Sequence, residues 1–264
     1  MQSSSPRPLA LVTGASSGIG LELAKELARN GHDLVITAED QAGLAEADRA
    51  LHELAEGARV EAITVDLADR QGVETLHARI RNLGRPVEVL AANAGVGGEF
   101  ARETDLEAEL RLIQLNVTSQ VHLVKLVVRD MVERGSGRIL ITSSIASLMP
   151  GPFEAVYAAS KAFLRSFGEA IRNELKDRGV GVTVLMPGPT ETEFFHRAGM
   201  DDTKVGQGSK DDPADVAKAA YKALIADQDH VVTGAKNKVQ AAATAVLPDT
   251  ARAALHRKQA EPRH

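Results

Sequence analysis

A tyrosine and a lysine four residues apart are the side chains in this sequence best suited to proton transfer. Tyr157 and Lys161 stand at the start of a stretch in which apolar residues recur every fourth position as far as Leu175, and Gly179 ends the pattern. This period predicts a helix, on which residues four apart share one face with Cβ atoms about 5–6 Å apart. A phenol has an ordinary pKa of about 10, and a neighbouring ammonium group lowers it by stabilising the phenolate. Ser144, in the preceding loop, could hold a substrate oxygen against this phenol, which predicts a site for general acid–base catalysis.

This pair alone does not define a site, because a tyrosine four residues before a lysine occurs by chance in many helices. A second motif lies near the N-terminus, Thr13-Gly-Ala-Ser-Ser-Gly-Ile-Gly20, between a short apolar run and a helix-like segment. Glycines at a strand-to-helix turn let the backbone approach a pyrophosphate, which the helix N-terminus stabilises through its free N–H groups. A Gly/Ser-rich turn also occurs with no ligand. The strand before this turn and the helix after it favour a bound nucleotide.

Acidic residues follow the next two predicted strands. In nucleotide-binding α/β folds a carboxylate about 20 residues after the glycines binds the ribose hydroxyls, and Glu39 and Asp40 stand at that point with no adjacent Lys or Arg. Since a carboxylate accepts hydrogen bonds from both hydroxyls and repels a 2′-phosphate, Glu39 favours NAD over NADP. Asp66, followed by Leu67, ends the third strand, where its carboxylate could accept a hydrogen bond from the adenine amine. The alternative for Asp66 is to cap the N-terminus of the next helix.

The elements that would position these groups alternate regularly. Short apolar runs predict seven strands, at residues 9–12, 33–37, 59–65, 87–92, 137–143, 180–186 and 230–233. Helical patterns cover residues 21–30, 41–54, 69–83, 105–133, the segment that starts at Tyr157, and 213–226 behind Asp212. This alternation predicts an α/β fold with a doubly wound parallel sheet and helices on both faces. We expect one domain over residues 1–264, with its core at about 8–233.

Composition excludes several classes of function. The chain has 264 residues, of which 44% are hydrophobic and 25% charged, and its net charge of −5 argues against a nucleic-acid-binding face. No apolar run approaches the 18 or so residues that span a bilayer, and the four apolar residues behind the polar N-terminus are too few for a signal peptide. The absence of cysteine excludes disulfides and thiolate chemistry, and the eight histidines lack metal-ligand spacing, so we expect no metal. These features are typical of a cytoplasmic protein.

Together the motifs resemble those of the short-chain dehydrogenase/reductase superfamily. The shared features, in the family's order and spacing, are the glycine-rich turn, Asn93-Ala-Gly95, Asn116, Ser144 with Tyr157 and Lys161, and Pro187-Gly188. The resemblance covers about residues 8–233 and implies a Rossmann-type fold. It also implies an NAD(P)-dependent oxidoreductase that moves hydride between nicotinamide and a secondary alcohol or ketone. Members are commonly homodimers or homotetramers joined through the helices that here hold Asn116 and Tyr157.

The resemblance implies a role for each matching residue. Tyr157 would be the acid–base catalyst, Lys161 would lower its pKa and bind the nicotinamide ribose, and Ser144 would orient the substrate oxygen. Asn116 would tie a water molecule to the lysine in a proton relay. The residues implied to contact the cofactor are Gly14, Ser16, Ser17, Gly18, Ile19, Gly20, Glu39, Asp66, Leu67, Asn93, Ala94, Gly95, Tyr157, Lys161, Pro187, Gly188, Thr190 and Thr192.

The cofactor-specificity positions depart from the family pattern. NAD-preferring members usually carry an aspartate where this chain has Ala38, and NADP-preferring members often carry an arginine where it has Glu39. Members that use NADP also place a basic residue in the glycine turn, where this chain has Ser16 and Ser17. Because the chain lacks both of the basic residues that bind the 2′-phosphate in such members, we favour NAD(H) over NADP(H).

Mostly apolar residues are the candidate substrate contacts: Val96, Gly97, Ile145, residues 149–153, Phe194 and Phe195. They suggest a small, apolar alcohol or ketone, although the two phenylalanines could instead pack inside a lid, which we predict at residues 193–211. Alternative functions are a non-catalytic nucleotide-binding or interaction protein on the same fold, a 3-oxoacyl-thioester reductase and an epimerase.

The C-terminal extension, residues 234–264, lies outside the alternating pattern. It is helical in pattern at residues 241–246 and again after Asp249. This extension could pack on a partner subunit, touch a membrane surface or fray.

Overall fold

A seven-stranded parallel sheet forms the centre of the computed structural model, which describes residues 7–98, 100, 105–244 and 247–261. The strands are β1 (Leu9–Thr13), β2 (Asp33–Ala38), β3 (Val60–Thr64), β4 (Val87–Ala92), β5 (Gly137–Thr142), β6 (Val180–Met186) and β7 (His230–Val232). Their order in the sheet is β3-β2-β1-β4-β5-β6-β7. The predicted doubly wound α/β fold is confirmed. Because the strand order reverses at β1 and β4, a crevice opens at their carboxyl ends, which is where ligands bind in such folds.

Helices pack on both faces of this sheet. They are α1 (Gly18–Arg29), α2 (Gln41–Leu54), α3 (Arg70–Asn82), α4 (Leu106–Ile113), α5 (Ser119–Arg134), α6 (Ala155–Leu175), α7 (Phe194–Arg197), α8 (Pro213–Ile225), α9 (Ala235–Thr244) and α10 (Asp249–Ala260). Asp40, Asp69, Asp105 and Asp212 cap α2, α3, α4 and α8, each accepting a hydrogen bond from a backbone N–H of the first turn. Each such cap stabilises its helix by about 1 kcal/mol. Asp69 therefore occupies the capping position of α3, and the expectation that Asp66 could fill it is wrong.

Alternate residues along the central strands build two separate apolar layers. Leu11 of β1 packs in the layer beneath α3, α5 and α6, whereas its neighbour Val12 packs in the layer beneath α1, α2 and α8. Successive side chains of a strand point to opposite faces of the sheet, so a strand buried on both sides is apolar throughout. This is why the strands were readable as continuous apolar runs.

The helix predicted at residues 105–133 is two helices. A π-helical turn, Gln114–Thr118, joins α4 to α5 and contains Asn116. The side chain of Asn116 is fully buried and bonds to both backbone groups of Val96, at 2.9 and 2.8 Å, which ties this turn to the end of β4. A π turn inserts one residue into a helix and often marks a functional site.

The C-terminal extension folds back onto its own chain. Helix α9 begins at Ala235, six residues before the predicted helical stretch, and α10 follows at Asp249. Arg252 of α10 donates a hydrogen bond of 3.0 Å to the carbonyl of Leu148, just before α6. Helix α10 therefore packs on its own chain, beside the cleft described next, rather than fraying. Contact of this segment with a partner subunit or a membrane surface stays a prediction. Within the described residues no helix is both long enough and apolar enough to cross a bilayer.

Candidate active site

One cleft at the carboxyl edge of the sheet collects the residues that the sequence singled out. Its lining includes every predicted cofactor contact, from the glycine turn through Asn93 to Thr192, together with Ser144, Tyr157 and Lys161. Asn116 is the exception, because it lies buried behind the lining. Within the described ranges of the chain, no three acidic or histidine residues are grouped as they would be around a metal ion.

The glycine turn leaves a bare backbone at the start of α1. A Cβ added to Gly20 would lie 2.0 Å from the carbonyl oxygen of Gly14, and one added to Gly18 would lie 2.8 Å from Thr192. Gly14 and Gly18 also have φ angles of +66° and +55°, in the left-handed region that favours glycine. With the free N–H groups of the α1 N-terminus beside it, this turn fits the diphosphate of a dinucleotide.

Hydrogen bonds join the ends of β1 and β4 next to this turn. The hydroxyl of Thr13 accepts hydrogen bonds of 2.9 Å from the backbone N–H groups of both Asn93 and Ala94. The amide of Asn93 donates to the carbonyl of Thr13 at 3.1 Å, and Gln120 donates to the carbonyl of Ala94 at 2.7 Å. These bonds hold the Asn93-Ala-Gly95 segment rigidly along one wall of the cleft.

Three side chains converge where α6 begins. Ser144 follows β5, and its hydroxyl accepts a 3.1 Å hydrogen bond from the N–H of Ala146, starting a short 3-10 helix. Tyr157 and Lys161 lie one turn apart on α6, with the lysine Nζ 5.6 Å from the centroid of the phenol ring. The Ser143 hydroxyl bonds to the backbone carbonyl of Lys161 at 2.7 Å, which joins the end of β5 to α6. Ser143 is therefore bonded to the helix backbone, as expected of a residue at a strand end.

The phenol of Tyr157 is more basic than the sequence suggested. Burial raises the pKa of Tyr157 well above its ordinary value, the Glu154 carboxylate raises it further, and a hydrogen bond with Ser144 acts in the opposite direction. Lys161 is not among the groups that shift this pKa, so the lowering expected from the sequence is not found. At neutral pH the phenol is fully protonated and ready to donate a proton.

Lys161 is itself buried, with 4% of its surface exposed. Burial lowers the pKa of Lys161 to about 8. Its Nζ donates a hydrogen bond of 3.1 Å to the carbonyl of Thr142, the last residue of β5. A Cβ added to Gly95 would lie 3.2 Å from this Nζ and 3.1 Å from the Asn116 side-chain oxygen, so these two groups flank the same glycine.

At the Glu39 end of the cleft, an arginine that the sequence did not indicate pairs with two of the lining carboxylates. Arg111 of α4 donates hydrogen bonds to the carboxylates of Glu39, at 2.5 Å, and Asp66, at 2.8 Å. Partial burial acts to raise the pKa of Asp66, but the hydrogen bonds from Arg111 and the N–H of Ala68 outweigh it and lower that pKa. Arg111 stands 72 residues from Glu39 in sequence, so no local pattern could have placed it there.

Four residues of the predicted lid, residues 193–211, line the cleft: Phe194, Phe195, Arg197 and Val205. The ring of Phe194 lies 5.3 Å from that of Tyr157, so Phe194 is a wall of the site. Phe195 lines the cleft and also packs in the small apolar cluster with Ala198, and its contact with substrate stays a prediction. Arg197 donates a hydrogen bond of 3.2 Å to the Ser17 hydroxyl, which ties the lid to the glycine turn.

Two further residues of the cleft were not singled out by the sequence. Glu154 precedes α6, and His256 comes from α10; both line the cleft and are joined by a contact of 3.3 Å between carboxylate and imidazole Nε2. The weakly amphipathic C-terminal pattern gave no sign that its histidine would reach this site. Of the predicted substrate contacts, Val96, Ile145, Met149, Phe194 and Phe195 line the cleft, whereas Gly97 and residues 150–153 do not.

Comparison with known families agrees with this geometry. The model of the short chain dehydrogenase family matches residues 8–203, which is most of the chain and includes every catalytic candidate. The protein is a short-chain dehydrogenase/reductase. As a member of that family it is an oxidoreductase that acts on CH–OH groups and binds a nicotinamide nucleotide.

Individual relatives of this short-chain dehydrogenase differ in the cofactor and substrate that their names record. Ketoacyl reductase HetN of Nostoc sp. is 33% identical over 220 residues, which cover 81% of this chain and 74% of the relative. A short-chain dehydrogenase from Sphingobium yanoikuyae in complex with NADPH has a TM-score of 0.81 at 29% identity and covers 97% of this chain and 96% of its own. A family member from Burkholderia phymatum in complex with NAD has a TM-score of 0.79 at 25% identity, with coverages of 89% and 92%.

Proposed function

We propose that this protein interconverts a secondary alcohol and a ketone, with Tyr157 as the acid–base catalyst. The observation that supports this most directly is that Ser144, Tyr157 and Lys161 line the same cleft as the bare glycine turn. The nicotinamide cofactor, when bound, supplies or accepts the hydride. In the reductive direction the Tyr157 phenol donates its proton to the carbonyl oxygen, which the Ser144 hydroxyl holds in place.

Lys161 and Asn116 support this proton transfer by binding the cofactor and by positioning the site. We assign Lys161 to the nicotinamide ribose hydroxyls, because its buried Nζ is a donor aimed into the cleft beside Gly95. Asn116 is assigned to positioning, since its side chain is bonded to the Val96 backbone and to the Ser160 hydroxyl. A water-mediated relay from Asn116 to the lysine stays a prediction.

For the cofactor we propose NAD(H) in preference to NADP(H). Glu39 lines the cleft at the end of β2, where its carboxylate suits ribose hydroxyls and repels a 2′-phosphate. Arg111 reduces this repulsion without removing it, because Glu39 and Asp66 share its single charge. Fluorescence titration with NADH and NADPH tests the assignment, and tighter binding of NADPH would overturn it.

For the substrate we propose a small molecule with a largely apolar body. Val96, Ile145, Met149, Phe194 and Val205 supply apolar surface to the cleft. The second candidate is reduction of a 3-oxoacyl thioester, which the similarity to ketoacyl reductase HetN favours. A substrate panel that includes acetoacetyl-CoA beside simple ketones separates the two.

We further propose a homo-oligomer joined through α4 and α6. Three apolar side chains of α4, Leu106, Leu110 and Ile113, are 69%, 43% and 38% exposed, and Phe163 of α6 is 42% exposed. Neighbouring apolar residues left in water on two helices are typical of an interface. Light scattering coupled to size-exclusion chromatography measures the state directly, and a monomer would contradict this proposal.

Replacing Tyr157→Phe tests the central assignment. We expect a loss of turnover of about 10²–10⁴-fold, because general acid–base catalysis contributes about that factor. Binding of NADH, followed by fluorescence, should be nearly unchanged. The matched control is Tyr221→Phe, which alters the only other tyrosine of the chain. Turnover retained by Tyr157→Phe would refute the role given to the phenol.

A further inference from the structure

A buried acid–base pair stands at the substrate end of the cleft, apart from the residues that the proposed reaction uses. The Glu154 carboxylate and His256 Nε2 are 3.3 Å apart, and each side chain is only 9% exposed. Both residues line the cleft. Glu154 stands three residues before Tyr157, directly before the first turn of α6, and both residues line the cleft, so the pair adjoins the reacting centre.

Contacts other than this pair also hold α10 in place. Arg252 bonds to the carbonyl of Leu148, the guanidinium of Arg257 lies 5.4 Å from the Phe153 ring centroid, and the N–H of Val205 donates to the carbonyl of Gln259 at 3.0 Å. These contacts already join α10 to the loop before α6 and to the lid. An apolar residue in place of His256 would preserve them and would suit the apolar walls nearby.

The pair is also poorly arranged for stability. His256 Nδ1 is buried and, among the described residues, has no hydrogen-bond partner. Burying an unsatisfied polar nitrogen costs free energy. Polar groups retained at such a cost in a cleft are typical of recognition sites.

We propose that Glu154 and His256 bind a hydroxyl group that the substrate carries in addition to its reacting oxygen. A hydroxyl can donate to the Glu154 carboxylate and accept from His256 Nε2–H at once, which neither a carboxylate nor an ether can do. The negative charge of Glu154 disfavours an acidic substituent. The substrate class is therefore hydroxyketones and the corresponding diols, with an apolar remainder. This inference rests on the proposed function and specifies its substrate.

The test compares matched ketones in wild type and in variants of α10. The substrates are butan-2-one, 1-hydroxybutan-2-one and 4-hydroxybutan-2-one, with 4-oxopentanoate and 4-aminobutan-2-one as charged comparators. The variants are His256→Leu, His256→Asn as a second variant should the leucine protein fail to fold, and Lys258→Leu as a control at an exposed position of the same helix. Rates are followed at 340 nm with NADH and NADPH.

We expect wild type to prefer one hydroxyketone over butan-2-one, and His256→Leu to lower that ratio about tenfold, mainly through KM. His256→Asn should lose less, and Lys258→Leu should keep the ratio. The rise in Tm caused by butane-1,2-diol over that caused by butan-2-ol should also disappear in His256→Leu, which reports binding without turnover.

Each other outcome is decisive. If His256→Leu lost the same fraction of activity on butan-2-one and on the hydroxyketones, His256 would have a structural role and the inference would be overturned. A preference for the acidic or the amino ketone would also overturn the inference. The same holds if the protein binds NADH or NADPH but turns over none of the ketones in the panel. Failure to bind either cofactor would instead contradict the proposed function.

Discussion

The two ends of the cleft hold their charged groups in different ways. At the Glu39 end, the guanidinium of Arg111 and the carboxylates of Glu39 and Asp66 are 47%, 56% and 39% exposed. At the catalytic end, Lys161 and the Glu154–His256 pair are almost entirely buried. Water screens the first group, whose pairs are worth at most about 1 kcal/mol each. Burial of the second group costs free energy, because the charges lose contact with water, and it shifts the pKa values of buried ionisable groups strongly.

Removing the buried ammonium should give the largest effect and separate activity from stability. We expect Lys161→Met to lower turnover about 10²–10⁴-fold through loss of its part in the proton-transfer site. The folded pKa of about 8 lies below the ordinary 10.5, so the folded state binds the proton less well than the unfolded chain. Stability should therefore rise with pH between 8 and 10.5 in wild type.

The same variant should be more stable than wild type at pH 7. Relief of the buried charge is worth about 3 kcal/mol before the lost hydrogen bond to Thr142 is subtracted. Urea denaturation at pH 7 and at pH 10.5 measures this difference, which should shrink at the higher pH. If Lys161→Met were less stable than wild type, and by the same amount at pH 7 and at pH 10.5, the result would contradict the assignment of a buried cationic lysine.

Neutralising Glu154 should give an intermediate effect on the pH dependence of alcohol oxidation. Because the Glu154 carboxylate helps to raise the pKa of Tyr157, we expect Glu154→Gln to lower that pKa. The rising limb of kcat/KM for oxidation should move to lower pH, with a several-fold gain near neutrality. Reduction, which needs the protonated phenol, should change less. The exposed Glu174→Gln on α6 is the matched control, and an unshifted limb in Glu154→Gln would show that its carboxylate does not act on the phenol.

Removing the exposed guanidinium should give the smallest effect. Arg111→Ala leaves Glu39 and Asp66 without their shared cation, so NADPH binding should weaken by up to about 5-fold while NADH binding changes less than 2-fold. Raising the salt concentration should reduce the difference. Arg70→Ala, which removes an exposed pair with Glu74, should change neither. A loss of NADH affinity larger than that of NADPH would mean that Arg111 holds Glu39 in the shape that binds the ribose.

The difference between the two ends also marks what the sequence could and could not predict. The strands, the glycine turn and the positions of Ser144, Tyr157 and Lys161 were predictable, because each rests on a local pattern that the parallel topology brings to one edge of the sheet. Arg111 and His256 were not, because they meet partners 45 to 102 residues away through tertiary packing alone. The π turn at Asn116 was not predicted for another reason. A single residue inserted into a helix produces no repeating pattern of apolar residues that could be recognised in the sequence.

The raised pKa of Tyr157 exposes a limit of reasoning from spacing. A lysine one turn away predicts a more acidic phenol, but spacing says nothing about how deeply both groups are buried. In the structure burial acts on Tyr157 and Lys161 alike, raising the pKa of the acid and lowering that of the base. Only the three-dimensional environment decides which influence is larger.

The return of α10 over the cleft has a practical consequence for handling the protein. An affinity tag or fusion partner appended behind His264 would begin nine residues after His256, which lines the cleft. The first strand, by contrast, begins at Leu9, at the amino ends of the parallel strands and opposite the cleft. Purification handles are therefore better placed at the amino end, and kinetic constants measured with a carboxyl-terminal tag should be compared with those of the untagged protein.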